Sequence, residues 1–561
     1  MSKQNDIYLN HLIDCIPPKA NNYMLSTYSI ILEAWRRGIE VSVRIVKEKS
    51  GNIEPYYSLK HGTKFHNFSV TRGDLVSVEA KELTKNKHTT KEYLQSNNVP
   101  TPIGKEFSNT ATDEDIIKYA NEIGYPVVVK PLAGTGGKGV MSNIQNRDEL
   151  VESLLYVRQQ LKFSHVILEK YFEGADYRLY VLDGDVIGAI KRVRAHVIGD
   201  GKKTIQQLIN DKNTERTKLP SLSNRPIKVD SETKTLLKRS DYTLQSIIPD
   251  GEIFYLKTKN NVSAGGDSID ITNQVSDNIK KIAIEAANSF PSLPHCGLDM
   301  IVDEENDTGV IIELNSRAHI TQHLFPMEGK AQDIPSYIVD YYFPETKGYN
   351  REEANKLFID FDFIYTACLS RSAAEIKLPT IPKSPLVLKR YVITGCSESQ
   401  KFAARVHRLA YNNQVNGYVK PLTEGKLAII MGANSDKVMK FESQLKNYIN
   451  KNFPEVKVEE KNRTSPIKHG FYIEKDTEEL SGKTTNSQSN TIESYAKKYS
   501  DLRTDYQKLV RKLSEYEQSE NLTRLTERQN KQLKKRLKQM ESSTSWKITK
   551  PIRKLMGIRK R

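Results

Sequence analysis

Three clusters in this chain have the residue types and spacing needed to handle phosphate. The first is the stretch 125–140, YPVVVKPLAGTGGKGV. A β-branched apolar run ends on Lys130, and a loop follows that carries Gly134, Thr135, Gly136, Gly137, Lys138 and Gly139. Glycines let the backbone approach an anion closely and present N–H donors, while Lys130 and Lys138 add positive charge. A Walker A loop is excluded because Lys138 is followed by Gly139 rather than Ser or Thr. Gly134, Gly136 and Gly139 satisfy the dinucleotide pattern G-x-G-x-x-G, but no helical periodicity follows until about Arg147, so that match is accidental. The second cluster, VILEKYFEGAD at 166–176, is an apolar strand with Glu169 near its end and Phe172, Glu173, Gly174 and Asp176 beyond it. These offer adenosine contacts, the alternative being exposed strand ends. In the third, GLDMIV and GVIIELN flank the acidic turn 303–307 and place Asp299, Glu313 and Asn315 on or near strand ends. Residues 313 and 315 share a face because strand side chains alternate. Such oxygen ligands suit Mg²⁺, while the turn itself reads as a solvated hairpin. His319 and His323 stand at helical spacing with no third ligand nearby, which favours packing or substrate contact over zinc.

The elements needed to position these clusters can be read in order. Residues 1–85 form a small α/β unit with a helix over 21–37, a stop at Gly38, and strands over 39–46 and 74–78. A helix over 89–98 follows Asn86 and Lys87 and is broken by Val99-Pro100-Thr101-Pro102. A second helix over 113–122 stops at Gly124, and an amphipathic helix spans 148–161. Asp183-Gly184-Asp185 joins a hairpin of strands 177–182 and 186–190.

Composition narrows the function classes. The net charge of +16 is concentrated in a tail, since residues 491–561 alone carry +12. The remaining 490 residues are near neutral, which removes the support for general nucleic-acid binding. Cys15, Cys296, Cys368 and Cys396 show no metal or redox spacing and read as buried thiols in a reduced, cytoplasmic setting. No apolar run reaches the length of a membrane span, and the first residues lack a signal-peptide layout.

With the three clusters in this order, the chain resembles the ATP-grasp superfamily of carboxylate–amine ligases, particularly the ligase domains of cyanophycin synthetase and bifunctional glutathione synthetase. The resemblance covers about 86–344 and rests on NKHTTKEYL, YPVVVKPLAGTGGKGV, VILEKYFEGADYRLYV, HVIGDGKKTIQQLI, NNVSAGGDSIDIT and GLDMIV…VIIELN. It implies ATP and Mg²⁺ as cofactors, with Mn²⁺ as an alternative metal. It further implies that Lys87 and Lys130 contact ATP phosphates under the loop 134–139. Glu169, Lys170, Tyr171 and Phe172 would hold adenine and Asp176 the ribose. Asp299, Glu313 and Asn315 would bind metal, and Arg317 would face the transferred phosphoryl group. Arg178, Arg192, Arg194 and the loop Gly199-Asp200-Gly201 match the substrate region. Arg194 replaces a proline of the cyanophycin-type pattern, and Ser316-Arg317-Ala318-His319 replaces a proline-containing stretch, so the ATP half transfers better than the substrate half.

The fold class expected is α/β (α+β): an N-terminal domain 1–85, an ATP-grasp domain 86–350, and a domain 351–480 with its core at 386–453. The last resembles a ferredoxin-like acylphosphatase, but Ala403 and Pro421 stand where that family has its catalytic arginine and asparagine, so it is expected to be inactive. A Ser/Thr/Asn-rich linker spans 481–490. Tyr495, Tyr499, Leu502, Tyr506, Leu509, Leu513 and Tyr516 alternate spacings of four and three, a coiled coil over 491–541 and hence a homo-oligomer. The basic tail 542–561 is similar to the terminal S-W-x-x-T-x-P-x-R segment of bacterial envelope glycosyltransferases and would contact a membrane surface or envelope complex. The function expected is ATP-dependent amide formation through an acyl phosphate on small-molecule or polymer substrates, adding an amino acid or amine to a cell-surface polysaccharide or envelope precursor, in the cytoplasm and at the inner face of the cell membrane. A dipeptide or homopolymer ligase and a non-catalytic ATP-binding scaffold are the alternatives.

Overall fold

The helix Met24–Arg36 is apolar on nearly every side and buries almost all its side chains, Tyr28 and Trp35 included. Such a helix must be covered on several faces. In the computed structural model, described for residues 8–47, 53–132, 139–382, 385–396, 399–422 and 426–474, one cover is a five-stranded antiparallel sheet. Its order is Glu375–Lys377, Glu40–Lys47, Ile53–His61, Lys64–Ser69, Arg72–Gly73. A second cover is the helix Ile334–Tyr342. Gly38, at φ 81°, ends the first helix in the left-handed conformation open to glycine.

One expectation changes here. Residues 74–78 are not a strand: the Ser77 hydroxyl accepts from the Ala80 N–H at 2.9 Å and caps the helix Val78–Leu83, a local bond that competes with strand pairing. The strand Glu375–Lys377, far along the chain, completes the N-terminal sheet by pairing with Glu40–Lys47. The Ile53–His61 and Lys64–Ser69 hairpin carried a readable signal in the period-two burial of Pro55, Tyr57 and Leu59.

Two further antiparallel sheets carry the predicted site. One has the order Gly104–Phe107, Val166–Lys170, Val127–Pro131, Met141–Ile144, with the helices Asp113–Ile123 and Arg147–Leu154 packed on its core. The helix expected over 148–161 is α-helical only to Leu154 and continues as a π-helical turn through Gln160. The other sheet has the order Asp267–Asp270, Asp185–Val193, Ala175–Leu182, His295–Asp303, Thr308–Asn315. Its core is closed by the helix Asp277–Asn288. The hairpin turn has Asp183 and Gly184 at φ 50° and 81°, the primed geometry that matches strand twist. Residues 195–256 form an insertion with its own small core around Ile205, Ile209, Leu237 and Leu256.

In the second half, strand, helix, strand, strand, helix and strand follow from Leu386–Thr394 to Lys457–Asn462. The sheet order is Lys457–Asn462, Leu386–Thr394, Lys426–Asn434, Asn416–Pro421, a ferredoxin-like arrangement, extended by Phe471–Ile473, which runs parallel to Asn416–Pro421. Ala403 packs in its core. The four cysteines are buried and form no disulfide, and no described helix is long and apolar enough to cross a membrane. The loop 133–138, the linker, the coiled coil and the basic tail lie outside the described residues.

Two buried histidines make the fold sensitive to acid. His295 sits between the hydroxyls of Tyr180 and Tyr342, at 3.0 and 3.3 Å, and burial lowers its pKa to about 4. His323 is fully buried with neither ring nitrogen hydrogen-bonded. Burial first, then Arg178 and Arg192, lowers its pKa to about 3. The unfolded chain protonates both near the usual value of about 6.5, so below that pH it binds more protons than the folded chain and stability falls with pH. Thermal melts from neutral to mildly acidic pH should show Tm declining. His323→Leu should flatten that decline by about 1.4 kcal/mol per pH unit; an unchanged slope would contradict the assignment.

Candidate active site

Glu169 lies opposite Val128 in the register of Val166–Lys170 with Val127–Pro131. Lys130, two residues further along, is therefore its diagonal neighbour on the same face. The Lys130 Nζ reaches Glu169 Oε2 at 2.6 Å. The second oxygen, Oε1, accepts from Lys91 Nζ at 2.9 Å. Lys91 comes from the helix Lys87–Ser96, whose start is fixed by Asn86 Oδ1 accepting from the His88 N–H at 2.8 Å. One turn earlier on the same helix face, Lys87 Nζ lies 3.4 Å from Glu313 Oε2 on the second sheet. A single helix thus sets one lysine against each sheet. All three members of the Lys91–Glu169–Lys130 group are buried. Burial pushes the Glu169 carboxyl up, and Lys130 and Lys91 outweigh it, leaving the pKa below the usual range. Burial lowers the pKa of Lys91 against the pull of Glu169.

The second sheet carries a matched charge cluster. Asp299 stands opposite Glu313 on one neighbouring strand and opposite Arg178 on the other. Its Oδ1 accepts from Arg178 at 3.0 Å and from Arg192 at 2.9 Å. Burial raises the Asp299 carboxyl, but Arg192 and Arg178 prevail and hold it low. Arg192 also reaches Asp176 at 3.3 Å. There burial wins, and Asp176 is pushed up to about 7, with Arg192 opposing and Asp299 adding.

Several expected site residues are engaged elsewhere. Arg317 pairs with Glu54 of the N-terminal sheet and donates to Ser69 Oγ at 3.2 Å; its guanidinium lies where a long-range carboxylate can pair with it. Lys170 donates to the carbonyls of Gly124 and Tyr125 at 3.0 and 2.8 Å, closing the turn after a helix. Arg194 lies over the Tyr255 ring at 3.9 Å. Tyr171 and Phe172 are half-buried just past the strand end, and Asn315 stands opposite Gly297. Asp200 accepts from the N–H groups of Lys202 and Lys203 at 2.9 and 2.7 Å. Of the glycine loop, Gly134, Thr135, Gly136, Gly137 and Lys138 lie outside the described residues. Gly139, at φ 75°, is placed so that a Cβ would come within 2.8 Å of the Pro131 ring. Asp303 accepts from the N–H groups of Glu305 and Asn306, both at 3.1 Å, as a solvated turn would.

Lys91 and Glu54 were not read from the sequence. Lys91 had a signal in its one-turn spacing from Lys87. Glu54 had none, since 263 residues separate it from Arg317. Among the described residues no three His, Cys, Asp or Glu side chains gather as a metal cage. Glu313 and Asn315, with Asp299 beside them, supply only oxygen donors. This set fits a Mg²⁺ ion that completes its shell with water and phosphate. A cleft of about 1210 Å³ opens elsewhere, lined by Arg37, Tyr349, His407, Tyr411 and His469 and by none of the expected site residues.

Residues 86–181 match the family described as "Carbamoyl-phosphate synthase L chain, ATP binding domain". The chain is 31% identical over 330 residues to cyanophycin synthetase of Trichormus variabilis, covering 57% of this chain and 35% of that protein. It is 31% identical over 334 residues to the glutathione biosynthesis bifunctional protein GshAB of Clostridium perfringens, covering 57% of this chain and 41% of that one. The chain thus spans well under half the length of these curated relatives. Among solved structures, a bifunctional glutathione synthetase from Pasteurella multocida aligns with TM-score 0.45 and 23% identity, over 57% of this chain and 43% of its own.

The buried group makes a direct test of the site's architecture. Glu169→Gln leaves two buried ammonium groups without their carboxylate and should cost about 3–5 kcal/mol in urea unfolding. Lys91→Met, which leaves Lys130 paired, should cost less. A Glu169→Gln change of under about 0.5 kcal/mol, the size of an ordinary surface substitution, would contradict the assignment.

Proposed function

We propose, for a chain that carries an ATP-grasp domain, an ATP- and Mg²⁺-dependent ligase that joins a carboxylate to an amine. The observation that carries this reading is that Lys130 shares one buried carboxylate, Glu169, with Lys91, whose helix sets Lys87 against Glu313, all three lysines lying within the segment that matches an ATP-binding domain. Lys87, Lys130 and the loop 134–139 would hold the triphosphate, Glu169, Lys170, Tyr171 and Phe172 the adenine edge, and Asp176 the ribose. Because the Glu169 and Lys170 side chains are hydrogen-bonded within the protein, any part of theirs in adenine binding would fall to the backbone. Glu313 and Asn315, with Asp299, would hold Mg²⁺, which when bound offsets phosphate charge.

The chemistry requires no covalent enzyme nucleophile. A substrate carboxylate attacks the terminal phosphorus of ATP, releasing ADP and forming an acyl phosphate. An amine then attacks the acyl carbon, giving an amide, inorganic phosphate and a proton. Two anions must be brought together in the first step, so the chain's work is electrostatic: Lys87, Lys130 and the arginines near Asp299 lower the repulsion. Arg317 would serve the transferred phosphoryl group after exchanging Glu54 for it.

The finer reading is that the acceptor belongs to the cell envelope, supported by the tail 542–561, with residues 491–541 providing self-association at the cytoplasmic face of the membrane. Domain limits of 1–85, 86–350 and 351–480 are part of the same proposal, with Glu375–Lys377 pairing with a strand of the first domain. Phosphate release from Mg-ATP, measured across amino acids, amines and uronic-acid oligosaccharides, tests it. At least one carboxylate–amine pair should stimulate release, and Lys130→Ala and Glu313→Ala should each reduce it about 100-fold or more. Release that no pair stimulates, or that both variants retain, would overturn the ligase reading; stimulation confined to free amino acids would overturn the envelope acceptor.

A further inference from the structure

Among the described residues, Arg225 is a buried cation without a counter-ion. Its residue is only 9% exposed, and its backbone is fully committed: the carbonyl accepts from Arg216 Nε at 3.0 Å and the N–H donates to Leu222 at 2.8 Å. Among the described residues its guanidinium makes no ion pair and no side-chain hydrogen bond. It lies over the face of Tyr23, 4.7 Å from the ring centre. The neighbouring buried arginines are matched: Arg216 by Asp267 at 2.9 Å, Arg178 and Arg192 by Asp299. A guanidinium stays charged in any protein setting, and leaving one buried and unpaired is costly. Stacking on tyrosine recovers only part of that cost.

The surroundings identify what would recover the rest. Tyr23 is more than half exposed, and its ring meets that of His319 edge-on at 5.1 Å. The His319 carbonyl accepts from Arg178 at 3.3 Å, which ties this corner to the Asp299 cluster. Burial first, then the positive charge of Arg178, Arg317 and Arg225, pulls His319 down to about 4, so at neutral pH the ring is uncharged and three guanidiniums dominate the local field. Arg178 is already matched by Asp299, and Arg317 by Glu54. The unspent charge belongs to Arg225.

We propose that Arg225, backed by Tyr23 and bordered by His319, receives a carboxylate of the substrate other than the one that is activated, so that the substrate is an amino acid or a dicarboxylic acid. This rests on the ligase reading and deepens it. The forked guanidinium pairs with a carboxylate through two parallel hydrogen bonds, which a lysine cannot reproduce. The insertion that carries Arg225 would thereby grip the substrate at its far end while the Asp299 cluster faces the reacting one.

The test is binding by the full chain without ATP, so that a failure of turnover and a failure of this site are distinguishable. Succinate is the probe, succinamate its singly charged control, and sodium chloride at matched ionic strength the reference. Succinate should raise the Tm of the wild type by about 2 °C or more, and bind it about tenfold more tightly than succinamate does. Arg225→Met should lose both effects, and Arg225→Lys should retain only part of them. In chloride alone Arg225→Met should melt no lower than the wild type, because it removes an unpaired buried charge. Equal succinate shifts in wild type and Arg225→Met, no shift in the wild type, or a lower Tm for Arg225→Met in chloride would each overturn the proposal.

Discussion

A buried carboxylate between two ammonium groups, Lys91–Glu169–Lys130, is the constraint on which the site depends. Glu169 sits on an interior strand, where an ionised carboxylate alone would be untenable, and the two lysines are equally unsuited to burial without it. Each therefore fixes the others. Lys130 and Glu169 require the strands Val127–Pro131 and Val166–Lys170 to keep their register, because a one-residue slip would send one side chain to the opposite face. Lys91 requires the helix Lys87–Ser96 to lie across that face. Its first turn then has no freedom left, and Lys87 is delivered to Glu313 on the other sheet.

The same logic runs outward from this group. Asp299 is shared by Arg178 and Arg192, Asp176 is held by Arg192, and Arg317 is held by Glu54. Among the described residues, the cations of this cluster, Arg178, Arg192 and Arg317, are thus each matched by a protein carboxylate. On the proposed ligase reading, an anionic ligand would take the place of these carboxylates, and exchange of Glu54 at Arg317 would join the N-terminal sheet to the site. This division of labour also explains why Asp176 and Asp299, one strand apart, differ so sharply: two guanidiniums hold Asp299 ionised, whereas Asp176 has one at longer range and burial prevails.

What was legible in the sequence follows from the range of each interaction. Lys130, Glu169, Glu313 and their strands stood out because short apolar runs ending in charge are local patterns, and the helices over 89–98 and 113–122 because start and stop signals are local too. The ferredoxin-like order of the second half was readable for the same reason. Ser77 was misplaced into a strand because its cap bond competes with the extended pattern. The pairing of Glu375–Lys377 with Glu40–Lys47, and of Arg317 with Glu54, joins residues hundreds of positions apart and leaves no periodic trace. Lys91 lay between these cases: its spacing from Lys87 was visible, but its partner was set by the meeting of two sheets.

Hydrogen exchange of the full chain, with and without Mg²⁺ and a non-hydrolysable ATP analogue, tests most directly whether nucleotide enters between these two sheets. The account predicts added protection in Lys87–Ser96, Val127–Pro131, Val166–Lys170 and Thr308–Asn315. Unchanged exchange in all four, or protection confined to residues 386–462, would contradict it.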